Sequence, residues 1–167
     1  MEREGLNMES RPRLNIQRTP LQNWINIISV FIMGGTAIYL LVNYAKLPDQ
    51  IPMHFNYLGE VDYWGPKESI FILLGVSILI YILNTRTQHI PHKFNYIVEI
   101  TEENAEKQYQ MAVRMMSIMN LEIMLLTSYI SWVIVENIQL NSYVMILFLI
   151  ILFSTLIMYL VNSRKYR

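Results

Sequence analysis

The chain has 167 residues, with 13 Lys plus Arg against 13 Asp plus Glu, and so carries no formal net charge. Charged residues make up 16%, below the ~25% usual in soluble domains, and mean hydropathy is +0.29. So balanced a chain, poor in Lys and Arg, is excluded as a general nucleic-acid binder, and the absence of Cys removes disulfides, Cys-ligated zinc, iron–sulfur clusters and thiol catalysis.

In chain order, residues 1–20 carry Pro12, Pro20 and mixed charge and read as a flexible amino-terminal segment. Residues 21–167 read as one domain, an all-α integral membrane fold of four transmembrane helices. The spans are 24–44, 66–86, 115–135 and 143–161. An α-helix rises ~1.5 Å per residue, so about 20 residues cross the ~30 Å hydrocarbon core. A soluble helix needs a polar face, and runs such as Ile70-Phe71-Ile72-Leu73-Leu74 leave none. The first span is too long for a signal-peptide core and lacks a small-x-small site after it, so it reads as an uncleaved anchor. Its Gly34-Gly35 pair suits close helix approach. Trp24, Tyr39, Tyr44, Trp132, Tyr143 and Tyr159 lie near span ends, as interfacial aromatics do. Positive charge sets the direction. Both termini and the loop 87–114 hold eleven Lys and Arg when grouped with Arg86, against Lys46 and Lys67 on the other side. Both ends are therefore expected in the cytoplasm of a bacterial cell.

The outer loop, 45–65, is the most distinctive stretch. Pro48 and Pro52 push Leu47 and Ile51 into extended conformations and stop the first helix. Residues 53–58 suit a short strand or extended arm. Gly59 and Gly65 permit positive φ, and Gly65-Pro66 before Glu68 suits a helix start. Apolar Ile51, Phe55, Leu58, Tyr63 and Trp64 would fold the loop back on the membrane surface. His54, Asn56, Glu60, Asp62 and Lys67 are its polar residues. They suit three uses: capping and turning the loop, binding an external peptide or lipid, or catalysis by His54 with Glu60 or Asp62. One His with two scattered acids matches no metal-ligand spacing, so neither a metal nor another cofactor is expected. The binding candidates are Pro52, His54, Asn56, Gly59, Asp62, Gly65 and Lys67.

The run Leu47-Pro48-x-x-Ile51-Pro52-x-His54-Phe55-Asn56, followed by Gly59-x-x-Asp62-x-x-Gly65-x-Lys67, resembles the signature of a bacterial family of membrane proteins defined only as a domain of unknown function. The module is similar to the amino-terminal part of the Sdp immunity proteins, which protect a Bacillus-type producer from its own secreted toxin. Asn95-Tyr96, then Ile100-Thr101-Glu102-Glu103-Asn104-Ala105 and Gln108-Tyr109, resemble the family's segment before its third span. The likeness covers 47–116. The immunity proteins carry further spans, whereas this sequence ends after its fourth. The resemblance thus implies a fold and a membrane location, with toxin immunity as one function it would carry.

In the inner loop, His89 and His92 flank Pro91, which argues against a helix there and against a zinc site. Phe94, Tyr96, Val98 and Ile100 alternate with Asn95 and Glu99, which suits an extended segment. Thr101 suits a helix N-cap, with Glu102 and Glu103 in the first turn. Ala105, Tyr109, Ala112, Val113 and Met116 share one helical face. A helix from Glu102 to Glu136 has about 35 residues and roughly 52 Å; either it is prolonged into the cytoplasm by its first three turns, or it kinks near the surface and lies flat. Its apolar face could dock a cytoplasmic protein, or the helix could simply be solvated. Within the third span lie Asn120 and Glu122. An ionised carboxylate at such depth costs ~2.5–3.5 kcal/mol, so Glu122 should face the bundle, paired or protonated. Asn43, Ser77, Thr155 or a Tyr hydroxyl could pair with it.

The expected function is a non-enzymatic membrane protein that senses or confers immunity to an extracellular peptide toxin through 47–67. A small transporter or proton-coupled component using Glu122, or an accessory subunit of another membrane protein, is the alternative. A membrane hydrolase or transferase using His54 with Glu60 or Asp62 ranks last, because no nucleophile motif is present.

Overall fold

The computed structural model describes residues 10–167. The expectation of a flexible amino terminus therefore falls, for residues 1–9, outside the described residues. Four helices dominate: α1 (Pro20–Asn43), α2 (Ile70–Thr87), α3 (Ala105–Val135) and α4 (Ser142–Lys165). Two strands, β1 (Gln50–Phe55) and β2 (Val61–Pro66), pair antiparallel between α1 and α2. All four helices are long and apolar enough to cross a membrane, α1 and α2 gaining a 3₁₀ turn each at Tyr44–Lys46 and Lys67–Ser69. The chain is thus a mostly helical, multi-pass membrane protein by length and composition.

Local chemistry sets the ends. α1 begins four residues before the apolar run because Thr19 and Gln22 form a capping box, with Pro20 in the first turn. α3 stops where Asn137 takes φ 50° and Ile138 N–H donates to the Val133 carbonyl, a Schellman closure in which Asn replaces the usual Gly. Asn141 caps α4, its side chain accepting from the Tyr143 and Val144 amides, while Arg164 and Lys165 face the negative end of its dipole.

α3 is the hub. It packs against α1, α2 and α4, whereas α4 makes no comparable contact with α1 or α2. Its buried stripe runs Val113, Ser117, Asn120, Met124, Thr127, Ser131, Ile134, alternating steps of four and three. Small residues in that stripe, with Ser29 and Thr36 on α1 and Ser77 on α2, let backbones approach. Ser29, Thr36, Ser77, Ser117 and Thr127 each donate to a carbonyl of their own helix, so the hydroxyls are satisfied without a partner helix. Gly34 and Gly35 do not mediate such an approach: a Cβ on either would meet nothing within 4 Å. The expectation of close packing there is corrected; on α1 and α2 the small residues that are buried are the hydroxylated Ser29, Thr36 and Ser77.

The connection before α3 also departs from expectation. No strand forms between Phe94 and Ile100, yet the alternation survives in burial: Phe94, Tyr96, Val98 and Ile100 turn inward and Asn95 and Glu99 outward. Thr101 and Asn104 bond reciprocally, each side chain accepting from the other's amide. That turn precedes the helix, whose N-cap is Asn104 rather than Thr101, so Glu106, not Glu102 and Glu103, is the acid in its first turn. With 31 residues and no break, α3 is about 46 Å long.

Candidate functional site

At one end of the bundle, the β1–β2 hairpin stands on a small core of Leu40, Leu47, Ile51, Ile70 and Ile134, drawn from α1, the hairpin foot, α2 and α3. Its tip is built by Asn56. The Asn56 side-chain oxygen accepts from the Leu58 and Glu60 amides, and its amide donates to the Glu60 carboxylate at 3.0 Å. Gly59 N–H donates to the Asn56 carbonyl, and Gly59 itself has φ 80°, the left-handed residue that closes a three-residue hairpin loop. Gly65 differs from expectation: its φ is not positive. It lies buried in β2, where a Cβ would come within 2.7 Å of Met53 Cγ.

The tip is fastened to the connection between α3 and α4. Leu140 N–H donates to the Gly59 carbonyl at 3.2 Å, Ser142 Oγ to the Tyr57 carbonyl at 3.0 Å, and Gln139 Nε2 to the Leu58 carbonyl at 3.4 Å. A Cβ on Gly59 would lie 1.8 Å from the Leu140 carbonyl oxygen. Tyr39 of α1 donates to Glu136 at 2.7 Å, adding a further tie at this end.

Across the ladder, His54 Nδ1 and the Asp62 carboxylate meet at 2.6 Å, both well exposed. The register is irregular on either side of His54, which aligns it with Tyr63 in the backbone while its ring reaches Asp62. Lys67 is elsewhere. At the hairpin foot it pairs with Asp49 at 3.1 Å and lies 5.7 Å from the Tyr44 ring centre. The expected polar residues thus form two groups, His54–Asp62 with Asn56–Glu60 toward the tip and Lys67–Asp49 below. Phe55 is half-buried, but Tyr57, Leu58, Tyr63 and Trp64 are exposed.

Beneath the hairpin lies a cavity of about 830 Å³. Buried Ile51 and Pro52, with His54, Phe55 and Asn56, form its roof; Leu73 and Val76 of α2, Ile130 and Ile134 of α3, and Met145 and Leu149 of α4 form its walls. The α2 and α4 wall residues carry no sequence signal, being apolar residues in apolar helices, and only the fold brings them together.

The two polar residues singled out within α3 face different ways. Asn120 accepts from Asn84 at 3.0 Å and donates to Thr85 at 3.4 Å, tying α3 to α2. Glu122 is buried and accepts from Thr155 Oγ1 of α4 at 2.5 Å, while its second oxygen has no partner.

At the opposite end, both described chain ends meet the connection 88–104. Arg11 donates to the Phe94 carbonyl at 2.8 Å and the His92 carbonyl at 3.3 Å, with its guanidinium 5.6 Å from the Tyr96 ring centre. Ile16, Tyr96 and Val98 pack on Ile100, Ala105 and Tyr109. The apolar face of early α3 is therefore covered by the chain itself. Fully buried Gln108 donates to the Ser163 and Tyr166 carbonyls and accepts from Ser163 Oγ, pinning the end of α4. Burial, then the Tyr159 and Tyr109 neighbours, keeps the Tyr96 hydroxyl protonated far above the usual tyrosine range, with Arg11 opposing. His92 is pushed below its ordinary 6.5 by burial, then by Arg13 and Lys93. No group of three or more metal-ligating side chains occurs among the described residues.

Residues 31–78, covering the second half of α1, the hairpin and the first part of α2, match the family model described as Domain of unknown function (DUF1648). An uncharacterized protein of Archaeoglobus fulgidus is 32% identical over 69 residues, which is 38% of this chain and 36% of that protein. The match therefore spans little more than a third of the relative's length. No solved structure matches the chain.

Proposed function

We propose that this is a non-enzymatic protein of a bacterial cytoplasmic membrane, with both termini in the cytoplasm, and that its hairpin recognises a cationic amphipathic peptide from outside. The observation that carries this reading is the braced hairpin tip. It holds an acidic, aromatic face that cannot swing free, since three hydrogen bonds fasten it to the α3–α4 connection. Five acids (Asp49, Glu60, Asp62, Glu68 and Glu136) face two bases (Lys46 and Lys67) at this end. Exposed Tyr57, Tyr63 and Trp64 add apolar contact area. Such a surface complements a basic, amphipathic partner. The positive residues gathered at the other end support the orientation, and the likeness of 47–67 to the Sdp immunity module supports a peptide toxin as the partner.

Expression in a sensitive bacterium should raise the concentration of a cationic membrane-active peptide needed to stop growth. Paired Glu60→Gln and Asp62→Asn changes should reverse this while leaving membrane levels of the protein unchanged. Unaltered sensitivity across a panel of such peptides would overturn the reading.

Glu122 favours a second reading, a proton-coupled transport component, because one carboxylate oxygen is buried without a partner between α3 and α4. Flux in proteoliposomes that Glu122→Gln abolishes would establish it. Equal flux in both proteins would dismiss it.

A further inference from the structure

We infer that the cavity under the hairpin is a phospholipid site, holding one acyl chain from the leaflet on the hairpin side. The claim does not rest on the peptide reading, nor on which way the chain is inserted. It rests on which sides of the cavity are closed. The aqueous end is roofed by Ile51, Pro52 and Phe55 of the hairpin and by Leu140, and this roof is fastened across by the Gly59–Leu140 and Tyr57–Ser142 hydrogen bonds. The back wall is α3, through Ile130 and Ile134. The remaining side lies between α2 and α4, which are not packed together. Both are helices long and apolar enough to cross the bilayer, and with them spanning it this side opens into lipid.

The dimensions and chemistry fit that entrance. Along α2 the lining runs from Ile70 to Val76 and along α4 from Ser142 to Leu149, a depth of about 10 Å at ~1.5 Å per residue. The deep walls are Leu73, Val76, Ile130, Ile146 and Leu149, with no polar side chain to hold water, and ordered water needs two to four polar partners. An acyl chain is the one apolar molecule present at high concentration at the mouth. At the roof, the Asn56 amide proton not used on Glu60 gives the ester and phosphate region a donor. A peptide arriving from water meets the closed roof first, and that is why lipid is the assigned occupant.

The test is native mass spectrometry of the whole chain after extensive delipidation in detergent. The wild-type protein should retain one phospholipid per chain, and Val76→Trp and Leu149→Trp, which fill the walls, should each lower retention about tenfold. Ile38→Trp, on an exposed part of α1, should leave it unchanged. Val76→Phe and a thermal-unfolding measurement guard against loss of fold: a folded variant with a filled cavity should still lose the lipid. Wild-type protein without lipid, or equal retention in all variants, would overturn the assignment. A dimer that Val76→Trp dissociates, with no lipid in the wild type, would give the cavity to a second copy instead.

Discussion

At the scale of single residues, Gly59 and Gly35 make opposite cases. Gly59 combines φ 80° with a position where a Cβ would collide with the Leu140 carbonyl, a backbone atom that cannot turn aside. Gly59→Ala should therefore destabilise by more than about 1 kcal/mol and release the hairpin tip, read as a lower melting temperature in detergent and new protease cutting near residue 58. Gly35 lies inside α1 with open space where a Cβ would go. Gly35→Ala should leave stability unchanged or raise it by about 0.5–1 kcal/mol, since a helical Gly is entropically costly. The sequence marks both as glycines in plausible turn or packing positions. It does not separate them, because the neighbour that decides Gly59 is 81 positions away. His54 and Asp62 are a similar case: residue types and spacing name both, yet their meeting at 2.6 Å depends on the irregular register around His54.

At the scale of elements, α3 ties its neighbours by different chemistry at different depths. Asn120 is the polar link to α2. Asn120→Ala should cost about 0.6 kcal/mol, the average for such bonds within membranes, and no more than ~1.7; unfolding in mixed detergents would measure it. The connection 88–104 brings a pH response. His92 has its folded value lowered from 6.5, chiefly by burial and then by Arg13 and Lys93. Its neutral form therefore favours the fold above 6.5, and that contribution is lost as pH falls through the lowered value. The protein should melt at lower temperature below about pH 6, and His92→Gln should flatten the dependence.

The elements also show what could be read beforehand. The four spans follow from apolar length alone, and the 94–100 alternation predicts burial correctly even though no strand forms. The start of α1 at Pro20 was encoded as Thr19-Pro20-Leu21-Gln22, a capping signal that apolarity hides when only the oily run is followed. The reciprocal Thr101–Asn104 turn is less legible, because one threonine suits both a cap and the turn before it.

At the scale of the whole molecule, both described chain ends and the connection 88–104 gather at one end, and the hairpin and the α3–α4 connection at the other. Since the chain contains no Cys, a single introduced one reports its own side without background. His54→Cys in intact cells should react with a membrane-impermeant maleimide, and Lys107→Cys only after lysis. The reverse pattern would invert the proposed orientation and remove the hairpin from contact with any external peptide.

The attachment of the hairpin to residues 139–142 has a consequence for biosynthesis. A nascent chain acquires the hairpin early, but the groups that hold its tip are translated only about 80 residues later. Until α4 enters the bilayer the tip has nothing to dock against. Ribosome-stalled chains ending before Leu140 should thus expose the 56–60 turn to protease, whereas chains extended through residue 167 should protect it, which makes hairpin protection a clock for the arrival of the α3–α4 connection.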